Sequence, residues 1–287
     1  MYSYPLYRPP SEAYSLILQV TEGCSHNRCE FCYMYKDKSF RVKSEEEIKQ
    51  HLVLAKQHYP NPRRIFLADG NVLCLKTEQL VSLLGAIFLC FPDVERISCY
   101  AGPKDLLRKD VAQLKEIHQA GLDLLYLGVE SGSAYVLDDM KKGVSPQEMI
   151  EAGQKAKKAG FGLSCMIISG LGGISRLEEH AVESARVISA IDPDYLGLLT
   201  LMLEKNTPLY DRVQRGDFCV PTGEQILEET ALFLENVQLN KCVFRSNHAS
   251  NYVALRGILN EEKDKLLNQL ETARRNHQLK PENFRRL

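Results

Sequence analysis

The stretch from residue 14 to residue 33 reads YSLILQVTEGCSHNRCEFCY. Its first seven residues are mostly apolar and predict a buried β-strand. Cys24, Cys29 and Cys32 follow in the loop that leaves this strand. A strand that holds a loop of closely spaced thiols can bring the thiolates together on a metal. The sequence therefore predicts a metal site directly after the first strand.

The identity of that metal stays open at this point. Three thiolates suit a [4Fe–4S] cluster that keeps one iron without a protein ligand, which leaves this iron able to bind a small molecule. The same three thiolates with His26 as fourth ligand suit a structural zinc ion. Free buried thiols are the third alternative.

Composition sets the broad class of protein. The chain has 287 residues, of which 44% are hydrophobic and 25% charged, as in ordinary globular proteins. A net charge of -1 argues against nucleic acid as the main partner. Nine cysteines and no signal-peptide pattern indicate a reducing compartment. The longest apolar run, residues 80–91, is too short to span a bilayer. We therefore expect a cytoplasmic protein that does not span a membrane.

Apolar runs alternate with helical patterns along residues 14–203. Ser44 and Ser145 are each followed three residues later by a glutamate, which predicts the start of a helix at each position. Strands separated by helices predict parallel βαβ units and an α/β protein. Six such units are too few for a complete eight-stranded barrel. The glycine-rich fingerprint of a dinucleotide-binding open sheet does not follow the first strand. The six predicted strands begin near residues 14, 64, 96, 122, 163 and 195.

Three segments are predicted along the chain. Residues 1–13 are rich in tyrosine and proline and are expected to pack on the body of the protein. Residues 14–203 form the core. Residues 204–287 form a C-terminal extension with a seventh strand at residues 241–246 and further helices.

Four motifs follow the first, second, fourth and fifth predicted strands. They are the three cysteines with Phe31 among them, Asp69-Gly70-Asn71, Glu130-Ser131-Gly132-Ser133 and Ser169-Gly170-Leu171-Gly172-Gly173. These motifs resemble those of the radical S-adenosylmethionine (SAM) superfamily, and most closely the branch of oxygen-independent coproporphyrinogen oxidases and methylthiotransferases. The first two cysteines are separated by four residues rather than the usual three, a variation that occurs in the superfamily. Asp69-Gly70-Asn71 is a weaker match than the others.

This resemblance implies a fold and a set of cofactors. The fold is a partial (β/α)6 TIM-like barrel, which the C-terminal extension would close. The cofactors are a [4Fe–4S] cluster on Cys24, Cys29 and Cys32, and SAM. One electron from the reduced cluster would cleave SAM to methionine and a 5′-deoxyadenosyl radical, which abstracts hydrogen from a substrate. The enzyme would be oxygen-sensitive and would need an external low-potential electron donor.

The resemblance also implies how SAM is held. Phe31 would lie against the adenine, and the turn of Asp69, Gly70 and Asn71 would meet the methionine amino group. The remaining SAM-binding residues implied by the motifs are Glu130, Ser131, Ser169 and Gly170.

The substrate is not evident from the sequence; a small molecule or a peptide is expected. Arg245 lies near the end of an apolar strand, and His248 follows that strand. Both are predicted as catalytic residues: His248 would donate or accept a proton, and Arg245 would anchor a carboxylate or phosphate of the substrate. A purely structural loop remains the alternative reading of that segment. His180, Lys141 and Lys142 are expected at the surface.

Two other functions compete with a radical SAM enzyme. One is a zinc-stabilised binding protein that uses the three cysteines and His26. The other is a protein that keeps the barrel and binds SAM or a cluster without radical catalysis.

Overall fold

The computed structural model describes residues 2–285 of the chain. Its helices are α1 (Glu45–His58), α2 (Thr77–Cys90), α3 (Pro103–Arg108), α4 (Val111–Gln119), α5 (Ala134–Asp139), α6 (Pro146–Ala159), α7 (Leu177–Ile191), α8 (Pro208–Arg215), α9 (Gly223–Asn236) and α10 (Lys263–Arg275). Its strands are β1 (Leu16–Gln19), β2 (Thr21–Glu22), β3 (Arg41–Val42), β4 (Arg64–Ala68), β5 (Arg96–Ala101), β6 (Leu124–Glu130), β7 (Gly162–Ser169), β8 (Tyr195–Thr200), β9 (Cys242–Ser246) and β10 (Leu255–Leu259).

The main sheet has eight strands in the order β1-β4-β5-β6-β7-β8-β9-β10. β4 runs parallel to both of its neighbours, β1 and β5. β6 runs parallel to β5, and β8 runs parallel to both β7 and β9. β10 runs antiparallel to its neighbour, β9. The predicted α/β class, the six alternating strands and the seventh strand are therefore confirmed.

Two elements differ from the sequence-based expectation. The sequence pattern of residues 106–119 predicts a single helix, but the structure has two, because Lys109 is extended and Asp110 caps α4 through the backbone N–H of Gln113. The eighth strand, β10, was not predicted, since Arg256 and Gly257 interrupt its apolar run. Its pairing with β9 supplies the stability that its own sequence lacks.

The chain divides into two compact units. The first comprises residues 1–27, 32–127 and 155–163, and the second comprises residues 28–31, 128–154 and 164–287. The boundaries predicted at residues 13 and 203 stay predictions. No helix among residues 2–285 is both long and apolar enough to cross a membrane.

In the first unit, a small second sheet joins the two ends of the cysteine-containing segment. β2 pairs antiparallel with β3, so that Glu22 lies opposite Arg41. The guanidinium of Arg41 also donates to the carboxylates of both Glu22 and Glu47. The segment between residues 22 and 41 is therefore a loop with fastened ends.

In the second unit, the strands β8, β9 and β10 have one covered and one open face. Leu196, Phe244 and Leu255 are buried on the covered face, where α10 packs against β10. Residues at alternate positions, such as Arg245 and Arg256, are exposed on the other face. This alternation follows from the period of two along a strand.

Candidate functional site

The three cysteines of the fastened loop are each half-buried. Cys24 and Cys32 belong to the first compact unit and Cys29 to the second. Among residues 2–285, no group of three or more His, Cys, Asp or Glu side chains is already arranged to hold a metal ion. Partial exposure gives these thiols the access to solvent that metal loading needs.

The turn after β4 lies directly against the cysteine loop. A Cβ atom placed on Gly70 would lie 2.8 Å from both Cα and Cβ of Cys24 and 2.7 Å from the carbonyl oxygen of Gly23. The Gly70 N–H also donates to that Gly23 carbonyl at 3.0 Å. Only glycine permits this approach.

The Asp69 carboxylate, which is fully buried, connects this turn to the cysteine loop. Its Oδ2 accepts hydrogen bonds from Gln19 Nε2 at 3.2 Å, from the Gly23 backbone N–H at 3.3 Å and from Lys38 Nζ at 3.0 Å. The ion pair with Lys38 offsets the cost of burying the negative charge. Lys38 in turn donates to the carbonyl oxygen of Ser3, which ties the N-terminal segment to the same point.

Asn71, the third residue of the turn, holds the loop from the other side. Its Oδ1 accepts from the Ser25 backbone N–H at 3.1 Å, and its Nδ2 donates to Ser25 Oγ at 2.7 Å. The same Nδ2 donates to the carboxylate of Asp105 at the start of α3. The side chains of Asp69 and Asn71 thus shape the residues around Cys24.

Glu130 ends β6 in the second unit and has a left-handed backbone, with φ of 67°. Such a conformation is uncommon for a residue with a side chain and recurs at binding sites. Its Oε1 accepts from Lys142 Nζ at 3.0 Å, and both side chains are mostly buried. Lys142 therefore does not belong to a fully solvated face as expected, because it neutralises a buried carboxylate. The expectation holds for the exposed Lys141.

The residues after Glu130 are fastened to α7. The Gly132 N–H donates to Ser184 Oγ at 2.9 Å, and Ser133 Oγ donates to Glu179 Oε1 at 2.6 Å. Ser133 also caps α5, while Ser131 is fully buried and accepts from the Ser133 N–H. The turn is thus held in one conformation.

The glycine segment after β7 is held by a buried carboxylate that the sequence analysis missed. Glu229 of α9 accepts from the Gly170 N–H at 2.9 Å and 3.0 Å with its two oxygens. Gly170 has φ of 86°, and a Cβ there would lie 2.9 Å from Cδ1 of Ile226. Glu229 thereby fixes a left-handed turn from behind.

His180 completes this arrangement. Its Nδ1 lies 3.0 Å from Glu229 Oε1, and its side chain is fully buried. The expectation of a surface position was wrong. His180 lies on the buried stripe of α7 with Ser184, Ile188 and Ile191, and this helical spacing was the signal that could have placed it inside.

Phe31 lies next to an apolar cluster within the second unit. The cluster includes Leu171 of the glycine segment and Val136 of α5. The other buried members are Met140, Leu201, Leu209 and Phe218. The structure thus gathers Phe31, the segment after Glu130 and the glycine segment around one apolar centre.

The loop after β9 carries the predicted catalytic His248. Its Nδ1 lies 2.8 Å from Ser250 Oγ and 3.2 Å from the Ser250 backbone nitrogen. Burial, with a smaller effect of the Lys280 charge, lowers the pKa of His248. Ser250 and Asn251 bind Thr200 at the end of β8, so part of this loop has the structural role that was left open.

Comparison with known proteins decides the family. The profile of the radical SAM superfamily matches residues 18–185, more than half of the chain. This chain belongs to the radical SAM superfamily. The superfamily uses a [4Fe–4S] cluster and SAM, which confirms the predicted cofactors and argues against the zinc-stabilised binding protein. The three half-buried thiols and the glycine that leaves room behind Cys24 fit a cluster by donor chemistry.

Two groups of relatives are similar to this radical SAM chain. The heme chaperone HemW of Bacillus subtilis is 24% identical over 189 residues, which is 64% of this chain and 48% of HemW. This chain therefore spans about half the length of that relative. Solved structures with the same fold include methylornithine synthase (18% identity, TM-score 0.55, 90% of this chain and 81% of that chain) and Escherichia coli coproporphyrinogen III oxidase (19%, 0.56, 77% and 52%).

These structures share the partial TIM barrel, so the predicted fold class is confirmed. The resemblance to the coproporphyrinogen oxidase branch is confirmed as well. The individual roles assigned to the cysteines and to the SAM-binding and catalytic residues stay predictions.

Gly70→Ala tests the close approach to the cysteine loop. The added methyl group has to displace backbone atoms of Gly23 and Cys24, so the free energy of unfolding is expected to fall by about 1–3 kcal/mol, the usual cost of overpacking. Urea unfolding measures the change. Gly85→Ala is the matched control: a Cβ there meets no atom within 4 Å in α2, so we expect a stabilisation of about 0.5–1 kcal/mol. Equal effects at both glycines would contradict the argument.

Glu229→Ala tests the anchor of the glycine segment. It leaves the Gly170 N–H and His180 buried without their acceptor, so the expected loss is about 1–3 kcal/mol of unfolding free energy. Amide hydrogen exchange at Gly170 should accelerate, because the opening that exposes it becomes easier. Glu228→Ala, one residue earlier and exposed, should change neither measurement. Unchanged exchange at Gly170 in the folded Glu229→Ala protein would remove the anchoring role.

Proposed function

We propose that this radical SAM enzyme holds its [4Fe–4S] cluster on Cys24, Cys29 and Cys32 and abstracts hydrogen from a substrate that is a small molecule or a peptide. The observation that carries the proposal is the contact of Gly70 with Cys24, since it puts the end of a second strand against the thiol-bearing loop. When bound, the cluster supplies the electron that cleaves SAM. The chain's own contribution is to bind, orient and shield.

The cysteine loop has the features that a cluster loop needs. Its ends are fastened by β2 and β3, and its start is fixed by the Asp69 carboxylate. Fixing the backbone reduces the entropy that the thiolates lose when they converge. The residues around the thiols also shield them partly from water, since each thiol is half-buried.

We further propose that SAM is bound at the strand ends that carry the family motifs. The backbone of Asp69, Gly70 and Asn71 would meet its amino group, because the two polar side chains there are already engaged by the loop. Phe31 would pack on the adenine beside Leu171. The other proposed SAM-binding residues are Glu130, Ser131, Ser169 and Gly170.

Glu130 is the residue best prepared for a polar ligand among these. Its left-handed backbone and its ion pair with Lys142 hold the carboxylate in place. A Cβ on Gly128 would meet Glu130 Oε1 at 2.1 Å, so the side chain lies back across the strand over a glycine. Fixing a ligand-binding group beforehand reduces the entropic cost of binding.

Four further assignments belong to this proposal. An external low-potential donor reduces the cluster, and the enzyme acts in the cytoplasm. His248 acts on the substrate as a proton donor or acceptor, and Arg245 binds it. The lowered pKa of His248 favours the neutral imidazole near neutral pH, which is the form that accepts a proton.

The decisive experiment measures the cluster and the cleavage of SAM in the same preparation. Anaerobically reconstituted protein should contain iron and sulfide, show a broad visible absorption that dithionite bleaches, and form 5′-deoxyadenosine from SAM. Ala at Cys24, Cys29 and Cys32 together should abolish all three signals, since the thiolates are the ligands. Ala at Cys90 and Cys219, which lie outside the loop, should preserve them. Full iron content in the triple loop variant would refute the ligand assignment.

Glu130→Ala should weaken SAM binding by about 1–3 kcal/mol, because the polar groups that it meets are left unpaired. The iron content should not change, since no proposed iron ligand is altered. Equilibrium binding of SAM to the reconstituted protein gives the affinity. Glu151→Ala, at an exposed position of α6, is the control and should bind SAM normally. Wild-type affinity in a fully loaded Glu130→Ala protein would exclude Glu130 from the site.

A further inference from the structure

Two arginines lie directly opposite each other on neighbouring strands. In the antiparallel pair of β9 and β10, Arg245 is the register partner of Arg256. Opposite residues of such a pair have Cβ atoms about 4.5–5.5 Å apart and point to the same face of the sheet. The two guanidinium groups therefore share one patch.

That patch is on the open face of the second unit. Phe244 and Leu255, the neighbours of the two arginines along the strands, are buried on the covered face. Both arginines are exposed. Within residues 2–285, neither guanidinium has a hydrogen bond or an ion pair with an acidic side chain.

Like charges opposite each other on two strands destabilise the sheet. Arginine cannot relieve this by losing its proton, because it stays charged in proteins. An anion between the two guanidinium groups relieves it and accepts charge-assisted hydrogen bonds from both. The pair is therefore suited to bind a negatively charged ligand.

The strand on the other side of Arg245 leaves space for such a ligand. Gly197 of β8 is the register partner of Arg245 and, in turn, of Met166 on β7. A Cβ on Gly197 would approach nothing closer than Met166 Cγ, at 3.5 Å. Packing thus does not require glycine here, although glycine weakens a strand. A glycine that packing does not require is typical of a position where a ligand comes close to the backbone.

An apolar row runs beside the arginines on the same face. It consists of Tyr195, Val243 and Ile258, which are aligned across β8, β9 and β10. Tyr195 and Ile258 are 44% and 38% exposed, high values for large hydrophobic side chains. An organic anion with an apolar body matches this combination of charge and surface.

We propose that Arg245, Arg256 and Gly197 form a subsite for the carboxylate or phosphate of the enzyme's substrate. The assignment rests on the proposed radical SAM function and narrows the substrate class to organic anions. Arg245 thereby acquires a partner that the sequence did not reveal. The two guanidinium groups bind the anion, and the absence of a side chain at Gly197 leaves the space that the anion occupies.

The test is direct titration of the reconstituted full chain with phenyl phosphate and, separately, with benzoate at low ionic strength, where exposed charges are least screened. At least one of the two should bind with one-to-one stoichiometry, and the stronger one identifies phosphate or carboxylate as the natural group. Arg245→Gln and Arg256→Gln should each raise the dissociation constant about tenfold or more, as expected when a charge-assisted hydrogen bond is lost.

Gly197→Val and Arg274→Gln separate this subsite from general effects. Gly197→Val should fold with a melting temperature no lower than that of the wild type and still bind the anion about tenfold more weakly, since its side chain fills the space. Arg274→Gln removes an exposed arginine of α10 and should bind as wild type. Wild-type binding in the Arg245→Gln/Arg256→Gln double variant, or no saturable binding of either anion to the wild type, would overturn the proposal.

These results do not depend on the radical reaction. A wild-type protein that cleaves SAM but binds neither anion removes the arginine subsite alone. A protein that binds the anion through both arginines but does not cleave SAM removes the proposed function and leaves the subsite.

Discussion

The cysteine loop depends on the hydrogen bonds and the ion pair of the buried Asp69 carboxylate. It accepts hydrogen bonds from the end of β1, from the backbone of Gly23 and from Lys38, which also holds the N-terminal segment. A buried charge is tolerated only when it has such partners. The buried Asp69 carboxylate gives each of its partners a defined position, and it thereby fixes where the cysteine loop begins at Gly23.

The second unit uses the same physical device at a different strand end. Glu229 reaches from a helix to the backbone N–H of Gly170, and His180 binds the same carboxylate. In both units a buried carboxylate holds a loop from behind through backbone N–H groups. Loop residues that these carboxylates do not engage are then available for ligands, as a family with one fold and many substrates requires. Glu130 differs, because its partner Lys142 neutralises it without immobilising a neighbouring backbone.

The residues proposed to bind the substrate and those proposed to bind the cofactors lie in different parts of the chain. The motif residues at the strand ends are proposed to bind the cofactors that the whole superfamily uses. The arginine pair and Gly197 lie within strands β8 to β10, beyond residue 185, where the match to the family profile ends. An organic anion held there would be positioned by charge and by an apolar row, two forces that select for a substrate class.

The sequence by itself determined the α/β class, the alternation of strands and helices, the start of α1 at the Ser44 cap and the superfamily. These features depend on neighbours within a few residues, namely apolar periodicity, capping boxes and motif spacing, so they can be read locally. Only the tertiary structure decided that His180 and Lys142 are buried, that Glu229 anchors Gly170 and that Arg256 lies opposite Arg245. Each of these depends on a partner that is 11 to 59 positions away or on strand register, as the contacts show. Burial of a charged side chain is decided by whether such a partner arrives, and the local sequence does not contain that information.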